Sequence, residues 1–276
     1  MTRIVNNCVA LVCLCLFWGQ SLRAADASHS EQIKWGNESV FNEEHNTLGL
    51  FSGVLGGQIV LAGGTSDDYS RWGRNAVCLS ENAGFALYED VLSKPLAYGA
   101  SITLSDGILC IGGRDSSQCY KDVFLVTMQQ GKLNVSEDWP PLPFPLSNAA
   151  GALLDNKVYL FGGRKSVSPS RLSDSFFVLD LSNKSRGWKE LPGYPGCVRE
   201  DAILVVQNNG VSPCLYLLGG QTETEEGLSS CLTDGYVYNP QLGKWSSLGS
   251  DFPKGICAAV ASGANHILLF QMFQGA

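Results

Sequence analysis

Four apolar strands in this chain each run into a pair of glycines, at close to a fifty-residue period. They read Gln58-Ile-Val-Leu-Ala-Gly63-Gly64, Gly107-Ile-Leu-Cys-Ile-Gly112-Gly113, Lys157-Val-Tyr-Leu-Phe-Gly162-Gly163 and Cys214-Leu-Tyr-Leu-Leu-Gly219-Gly220. The first glycines lie 49, 50 and 57 residues apart. A strand of small and apolar residues precedes each pair: Leu50–Val54, Tyr98–Thr103, Asn148–Leu153 and Ala202–Val206. Another follows each after a polar loop, at Ala76–Leu79, Val123–Val126, Phe176–Leu179 and Tyr236–Tyr238. Three repeats then close on Trp139, Trp188 and Trp245. Four short strands per repeat make one blade, so the chain is expected to be an all-β, kelch-type β-propeller. A sandwich or jelly roll would show turn signals without this period.

The residue types suit such blades. The innermost strand is crowded near the axis, which explains Ala149-Ala150-Gly151-Ala152. A Gly-Gly pair lets the chain leave the second strand through backbone angles that a side chain would disfavour. Tryptophan fills the space between neighbouring blades. Composition agrees: 45% hydrophobic residues, 31 glycines and only 16% charged residues fit many strands and turns better than helices with charged outer faces. The net charge of −7 offers no basic stripe to displace phosphate counterions, which excludes a nucleic-acid partner.

Residues 1–24 read as a secretory signal peptide. Arg3 precedes an apolar run of 11 residues from Cys8 to Trp18, and Ala24, Ala25 and Ala27 offer cleavage sites. The run is too short to span a bilayer, so no membrane anchor is expected after cleavage, and the location is expected to be periplasmic or secreted. Losing Arg3 and Arg23 with the signal would leave a net charge of −9. Seven cysteines would remain, an odd number that forbids complete internal pairing. Bridges Cys110–Cys119 and Cys214–Cys231 across loops are the pairings considered, and Cys110 and Cys257 also read as small buried hydrophobes.

The propeller is assigned to residues 31–276, with about four complete blades and a partial fifth. Ile33-Lys34-Trp35 resembles the last strand of a blade and would close the ring with strands from the other end. The fifth repeat starts with Ile256–Ala261 and His266-Ile-Leu-Leu-Phe270. Gln271-Met272-Phe273-Gln274 stands where a glycine pair is due, so the propeller is expected to be incomplete at its C-terminus.

Gly49-Leu-Phe-Ser-Gly-Val with Leu61-Ala-Gly-Gly64, Pro95-Leu-Ala-Tyr98-Gly-Ala-Ser101 with Cys110-Ile-Gly-Gly113, and Pro145-Leu-Ser-Asn148-Ala-Ala-Gly-Ala152 occur in this order. Together they resemble the blades of the sialic acid mutarotases (N-acetylneuraminate epimerases), in the cyclically permuted order of that family. The resemblance runs over roughly residues 33–270. It implies a six-bladed propeller that interconverts the α and β anomers of a sugar acid, sialic acid, by acid/base ring opening. A base would take the anomeric hydroxyl proton and an acid would protonate the ring oxygen. An arginine would hold the sugar carboxylate. No cofactor and no metal is implied, and His29, His45 and His266 form no ligand motif. The family also carries a Gly-Glu-x-x-Pro-Gly-x-Arg string that supplies its acid/base. That string does not occur in residues 1–276, so no catalytic residue is assigned, and an inactive member of the family is one of the expectations. The competing expectation is a non-catalytic propeller that binds a carbohydrate or a protein.

Propeller sites lie at one mouth of the channel, on loops entering the inner strands or leaving the glycine pairs. Arg114 and Arg164 follow Gly-Gly in successive blades and are candidates for a carboxylate. Tyr98 and Asn148 open two inner strands and are candidates for sugar hydroxyls, and Arg199 is expected in the same slot of the next blade. Glu200 is a base candidate by position alone, and Arg71 and Arg74 lie in the loop after the first pair. Each of these also has a bland reading, as a solvated loop charge or a group satisfying backbone at the channel.

Overall fold

The apolar strand ahead of each glycine pair is flanked by strands on both edges, and its faces meet the neighbouring blades. This double burial is why it reads as a continuous hydrophobic run and not an alternating one. The computed structural model describes residues 48–80, 84–224, 228–249, 252, 254–257, 259–263 and 267–271. The first blade is β1 (Phe51–Leu55), β2 (Gln58–Ala62), β3 (Ala76–Ser80) and β4 (Gly84–Tyr88). The second is β5 (Ala100–Thr103), β6 (Ile108–Ile111), β7 (Val123–Gln129) and β8 (Lys132–Ser136). In the third, β9 (Ala150–Leu154) and β10 (Lys157–Phe161) are followed by a small hairpin, β11 (Arg164–Ser166) and β12 (Arg171–Leu172), then by β13 (Phe176–Asp180) and β14 (Lys189–Glu190). The fourth has the same plan: β15 (Ile203–Asn208), β16 (Pro213–Leu218), the hairpin β17 (Gln221–Glu223) and β18 (Ser229–Cys231), then β19 (Gly235–Asn239) and β20 (Lys244–Ser247). A final pair, β21 (Ala259–Gly263) and β22 (Ile267–Gln271), begins a fifth unit.

Each blade is a four-stranded antiparallel meander, paired in chain order apart from the inserted hairpins. The inner strands β1, β5, β9, β15 and β21 stand side by side in succession, which is the propeller arrangement. Burial falls outward along each blade. In the second, Ile108, Leu109, Cys110 and Ile111 of β6 are all buried, whereas β8 alternates between exposed and half-buried. The core is not one mass but a series of seams between blades. Phe51, Val60 and Cys78 meet Ile108, Cys110 and Phe124 in the first seam. Ile102, Leu109 and Leu125 meet Val158, Leu160 and Phe177 in the second, where Trp139 and Trp188 pack. An aromatic group of Tyr159, Phe161, Phe176, Tyr194, Tyr238 and Trp245 fills the third. Each fully buried side chain of this size contributes about 1.5–3 kcal/mol.

The glycine pairs do more than turn the chain. Gly112 has φ +64, and a Cβ there would lie 2.2 Å from the carbonyl oxygen of Leu146, on the next blade. That carbonyl accepts a 2.8 Å hydrogen bond from the N–H of Gly113. The same staple recurs from Gly64 to Leu96 (2.9 Å), from Gly163 to Arg199 (2.8 Å) and from Gly220 to Ile256 (2.6 Å). The pair is required because the backbone of one blade touches the backbone of the next.

Two expectations change. Cys231 pairs with Cys257, not with Cys214, and Cys110, Cys119 and Cys214 are buried free thiols. Cys110 lies in the first seam on β6 and Cys214 is fully buried on β16, whereas the hairpin strand β18 meets the segment that enters β21. Residues 1–24, read above as a signal peptide, lie outside the described residues, as do Ile33-Lys34-Trp35 and Met272-Phe273-Gln274.

Candidate functional site

The residue entering each inner strand is in the left-handed region: Gly49 at φ +64, Tyr98 at +60, Asn148 at +55 and Asp201 at +52. A belt of backbone hydrogen bonds joins them. Tyr98 N–H donates to the Gly49 carbonyl (2.7 Å), Asn148 N–H to Tyr98 (2.7 Å) and Asp201 N–H to Asn148 (3.0 Å). Asparagine, aspartate and glycine tolerate this conformation; a tyrosine is strained there by about 1–3 kcal/mol, a cost typical of functional positions. The belt lines an open cavity of about 220 Å³, bounded by Gly49, Tyr98, Asn148 and Asp201.

Thr65, Arg114, Arg164 and Gln221 follow the glycine pairs and bridge to Leu48, Ala97, Ser147 and Glu200, which immediately precede the belt residues. This second ring brings the arginines to the mouth, and their environments differ. Arg164 donates from Nε to Glu200 Oε2 (2.8 Å) and from Nη2 to Glu200 Oε1, with Glu223 Oε1 at 3.5 Å. The Glu200 hydrogen bonds raise the pKa of Arg164 further, and its charge is compensated.

Arg114 has no such partner among the described residues. Its guanidinium lies 4.6 Å from the Tyr98 ring centroid and 5.2 Å from that of Trp72, with Nε buried and without a hydrogen bond. The Trp72 and Tyr98 rings are 6.3 Å apart, and the Tyr98 hydroxyl donates to that of Tyr69 at 3.4 Å. An uncompensated cation clad by aromatic faces suits an anionic group on a partly apolar ligand.

Asp201 stands on neutral donors. Asn148 Nδ2 donates to its Oδ1 (2.9 Å) and Gln221 Nε2 to its Oδ2 (2.8 Å). Burial raises its carboxyl pKa, and the nearby Glu200 charge adds to the rise against the opposing pull of these donors and of Arg164. Among the described residues no group of three His, Cys, Asp or Glu side chains is placed to hold a metal ion.

The structure therefore brings Tyr98, Asn148, Arg114 and Arg164 to one mouth and leaves Arg199 out. Arg199 lies two residues before the belt, where Leu96, Leu146 and Ile256 stand in the other blades, and is fully buried. Its Nη1 and Nη2 donate to Asp234 at 2.7 and 2.8 Å, its Nε to Tyr194 Oη at 2.8 Å, and Nη1 also to the Gly219 carbonyl at 2.7 Å. Arg74 pairs with Asp90, and the Arg71 carbonyl accepts from the Thr65 hydroxyl at 2.7 Å. Asp201, Gln221, Trp72 and Tyr69 were not singled out from the sequence. A signal for Asp201 existed: Gly99, Ala149 and Ala202, all small, follow the belt residue in three blades. Nothing local marks Trp72.

Comparison with known proteins bears on the second half of the chain. Residues 139–272 match the family model of N-acetylneuraminate epimerase. The chain is 30% identical over 139 residues to an N-acetylneuraminate epimerase of Yersinia pestis (strain Pestoides F), covering 49% of the chain and 33% of that relative. It is 31% identical over 131 residues to one of Haemophilus influenzae (strain PittEE), covering 48% and 32%. A kelch domain-containing protein of Vibrio cholerae is 31% identical over 121 residues, covering 44% and 31%. The matches thus span about a third of the length of these relatives. The solved structure of YjhT shares the fold at a TM-score of 0.64, with 15% identity, covering 80% of this chain and 76% of that one. Asn148, Arg164 and Asp201 fall inside the matched stretch, whereas Tyr98 and Arg114 precede it. The chain is a kelch-type β-propeller whose residues 139–272 match the family model of N-acetylneuraminate epimerase.

Proposed function

We propose that the channel mouth binds a sugar acid of the sialic acid type and that the chain speeds exchange between its α and β anomers. The observation that carries this is Arg114, which lies between Trp72 and Tyr98 with a buried Nε and no carboxylate partner among the described residues. A ligand carboxylate would take the place that Glu200 fills for Arg164 and Asp234 fills for Arg199. The aromatic faces would meet the apolar side of the sugar, and the polar side chains of Asn148 and Asp201 would meet its hydroxyls. The family match over residues 139–272 supports the substrate class. The Cys231–Cys257 disulfide supports an oxidising compartment, either periplasmic or extracellular.

A proton NMR time course of freshly dissolved N-acetylneuraminate, run beside saturation-transfer binding, tests the proposal. Saturable binding with anomer exchange faster than in buffer alone is expected. Binding without acceleration would leave a carbohydrate-binding propeller in place of an enzyme. Absence of both would overturn the proposal.

A further inference from the structure

Among the described residues, four carboxylates adjoin the two arginine-bearing blade tops, and three of them are tied to an arginine or to hydroxyl donors. Glu200 holds Arg164 through both oxygens, with a side chain only 4% exposed. Glu223 accepts from Ser170 and adjoins the same arginine. Asp115 accepts from the Tyr120 and Ser117 hydroxyls and from the N–H groups of Ser117 and Gln118. Burial would raise its pKa, but these bonds prevail and hold it at about 2, which makes it a weak base. Asp201 differs in each respect. It lines the cavity beside Tyr98 and Asn148, its two amide partners are neutral, and each of its oxygens keeps a lone pair beyond the amide contact. The belt fixes its main chain, and Asn148 and Gln221 fix its side chain from two different blades.

We infer that Asp201 is the general base for anomer exchange in this chain, an assignment that rests on the sugar-acid reading of the mouth. The anomeric O–H bond breaks and its proton passes to an Asp201 oxygen. The freed pair forms the carbonyl as the ring C–O bond breaks, and the ring oxygen keeps that bond's pair and takes a proton from water. Rotation about the adjacent C–C bond presents the other carbonyl face. The ring oxygen then attacks, returning its proton to the hydroxide, while Asp201 returns its own to the carbonyl oxygen. Burial, by keeping the carboxyl above its ordinary range, makes it a better proton acceptor near neutral pH.

The test is the catalysed exchange rate against pH for the unaltered chain, Asp201→Asn and Gln221→Ala, with the dissociation constant of N-acetylneuraminate measured for each. Asparagine accepts the same backbone conformation, and Gln221 can turn its amide to meet it. Asp201→Asn is expected to lose about 100-fold or more of the catalysed rate, together with the acidic limb of the profile, and to keep binding within about threefold. Gln221→Ala removes a donor to the carboxylate, so its acidic limb is expected to move to higher pH. If Asp201→Asn keeps more than a tenth of the catalysed rate, or Gln221→Ala leaves the limb in place, the assignment is wrong. An unaltered chain that binds but does not accelerate exchange overturns the mutarotase reading, and the assignment falls with it. Acceleration that survives in Asp201→Asn overturns the assignment alone.

Discussion

Removing Asp234 should strand a buried charge. Arg199 has a fully buried side chain, and Asp234, 27% exposed, supplies its counter-charge through two hydrogen bonds. In Asp234→Ala the guanidinium keeps the Tyr194 hydroxyl, the Gly219 carbonyl, weaker contacts with Cys197 and the ring faces of Tyr194 and Tyr236, none of which carries a full negative charge. Breaking a buried pair from one side costs about 3–5 kcal/mol. Partial access of water at Asp234 puts this case near the lower end, about 3 kcal/mol. For an unfolding slope of about 3 kcal/mol per molar urea, the midpoint should fall by about 1 M. The other blades suggest the control, because Leu96, Leu146 and Ile256 fill the equivalent position at 2%, 1% and 6% exposure. The double variant Arg199→Met with Asp234→Asn should therefore regain most of the loss, since an apolar side chain of similar length needs no counter-charge. The reasoning is refuted if Asp234→Ala stays within about 0.5 kcal/mol of the unaltered chain, or if the double variant is no more stable than the single one.

Three further outcomes follow from the same contacts. Gly112→Ala puts a Cβ against the Leu146 carbonyl at φ +64, so a urea midpoint should report a loss above about 2 kcal/mol; an unchanged midpoint would mean the seam between blades is elastic. Replacing Cys231 and Cys257 together by serine opens a cross-link of 26 residues, and thermal unfolding should show a loss of up to about 3.5 kcal/mol. For Asp234, burial favours a raised pKa, but the hydrogen bonds and charge of Arg199 outweigh it and hold the carboxyl below its usual value. Its stabilisation is therefore complete above the unfolded-state pKa of about 4 and is lost as pH falls through the lower folded value. Urea midpoints between pH 2 and 6 should show that drop in the unaltered chain and a flatter curve in Asp234→Asn.

The repeat was legible because its cause is repeated: every blade must pass its backbone against the next at Gly64, Gly113, Gly163 and Gly220. The inner strands, and Tyr98 and Asn148 at their entrances, followed from that period. Arg199 was misplaced by two residues because a charged side chain in an otherwise apolar slot looks like a mouth residue until Asp234 is seen beside it. The small residues Gly99, Ala149 and Ala202 would have pointed to Asp201 instead. The Cys231–Cys257 pair was not legible, since it depends on which loop of one blade meets the entry to the next. Nor was the difference between Arg114 and Arg164. Both follow Gly-Gly, and only their neighbours across space, Trp72 and Tyr98 in one case and Glu200 in the other, make one an open cation and the other a closed ion pair.

The central claim is that Arg114 holds the carboxylate of a sugar acid, and a thermodynamic cycle tests it most directly. Calorimetric titration of N-acetylneuraminate and its methyl ester into the unaltered chain and into Arg114→Ala gives four affinities. A charge-assisted contact is worth about 1.5–3 kcal/mol, so each single change should weaken binding by roughly 10- to 150-fold. Making both changes should cost little more than making one, because both remove the same contact. Equal losses from the ester in the presence and absence of Arg114 would contradict the account, since the carboxylate would then be bound elsewhere.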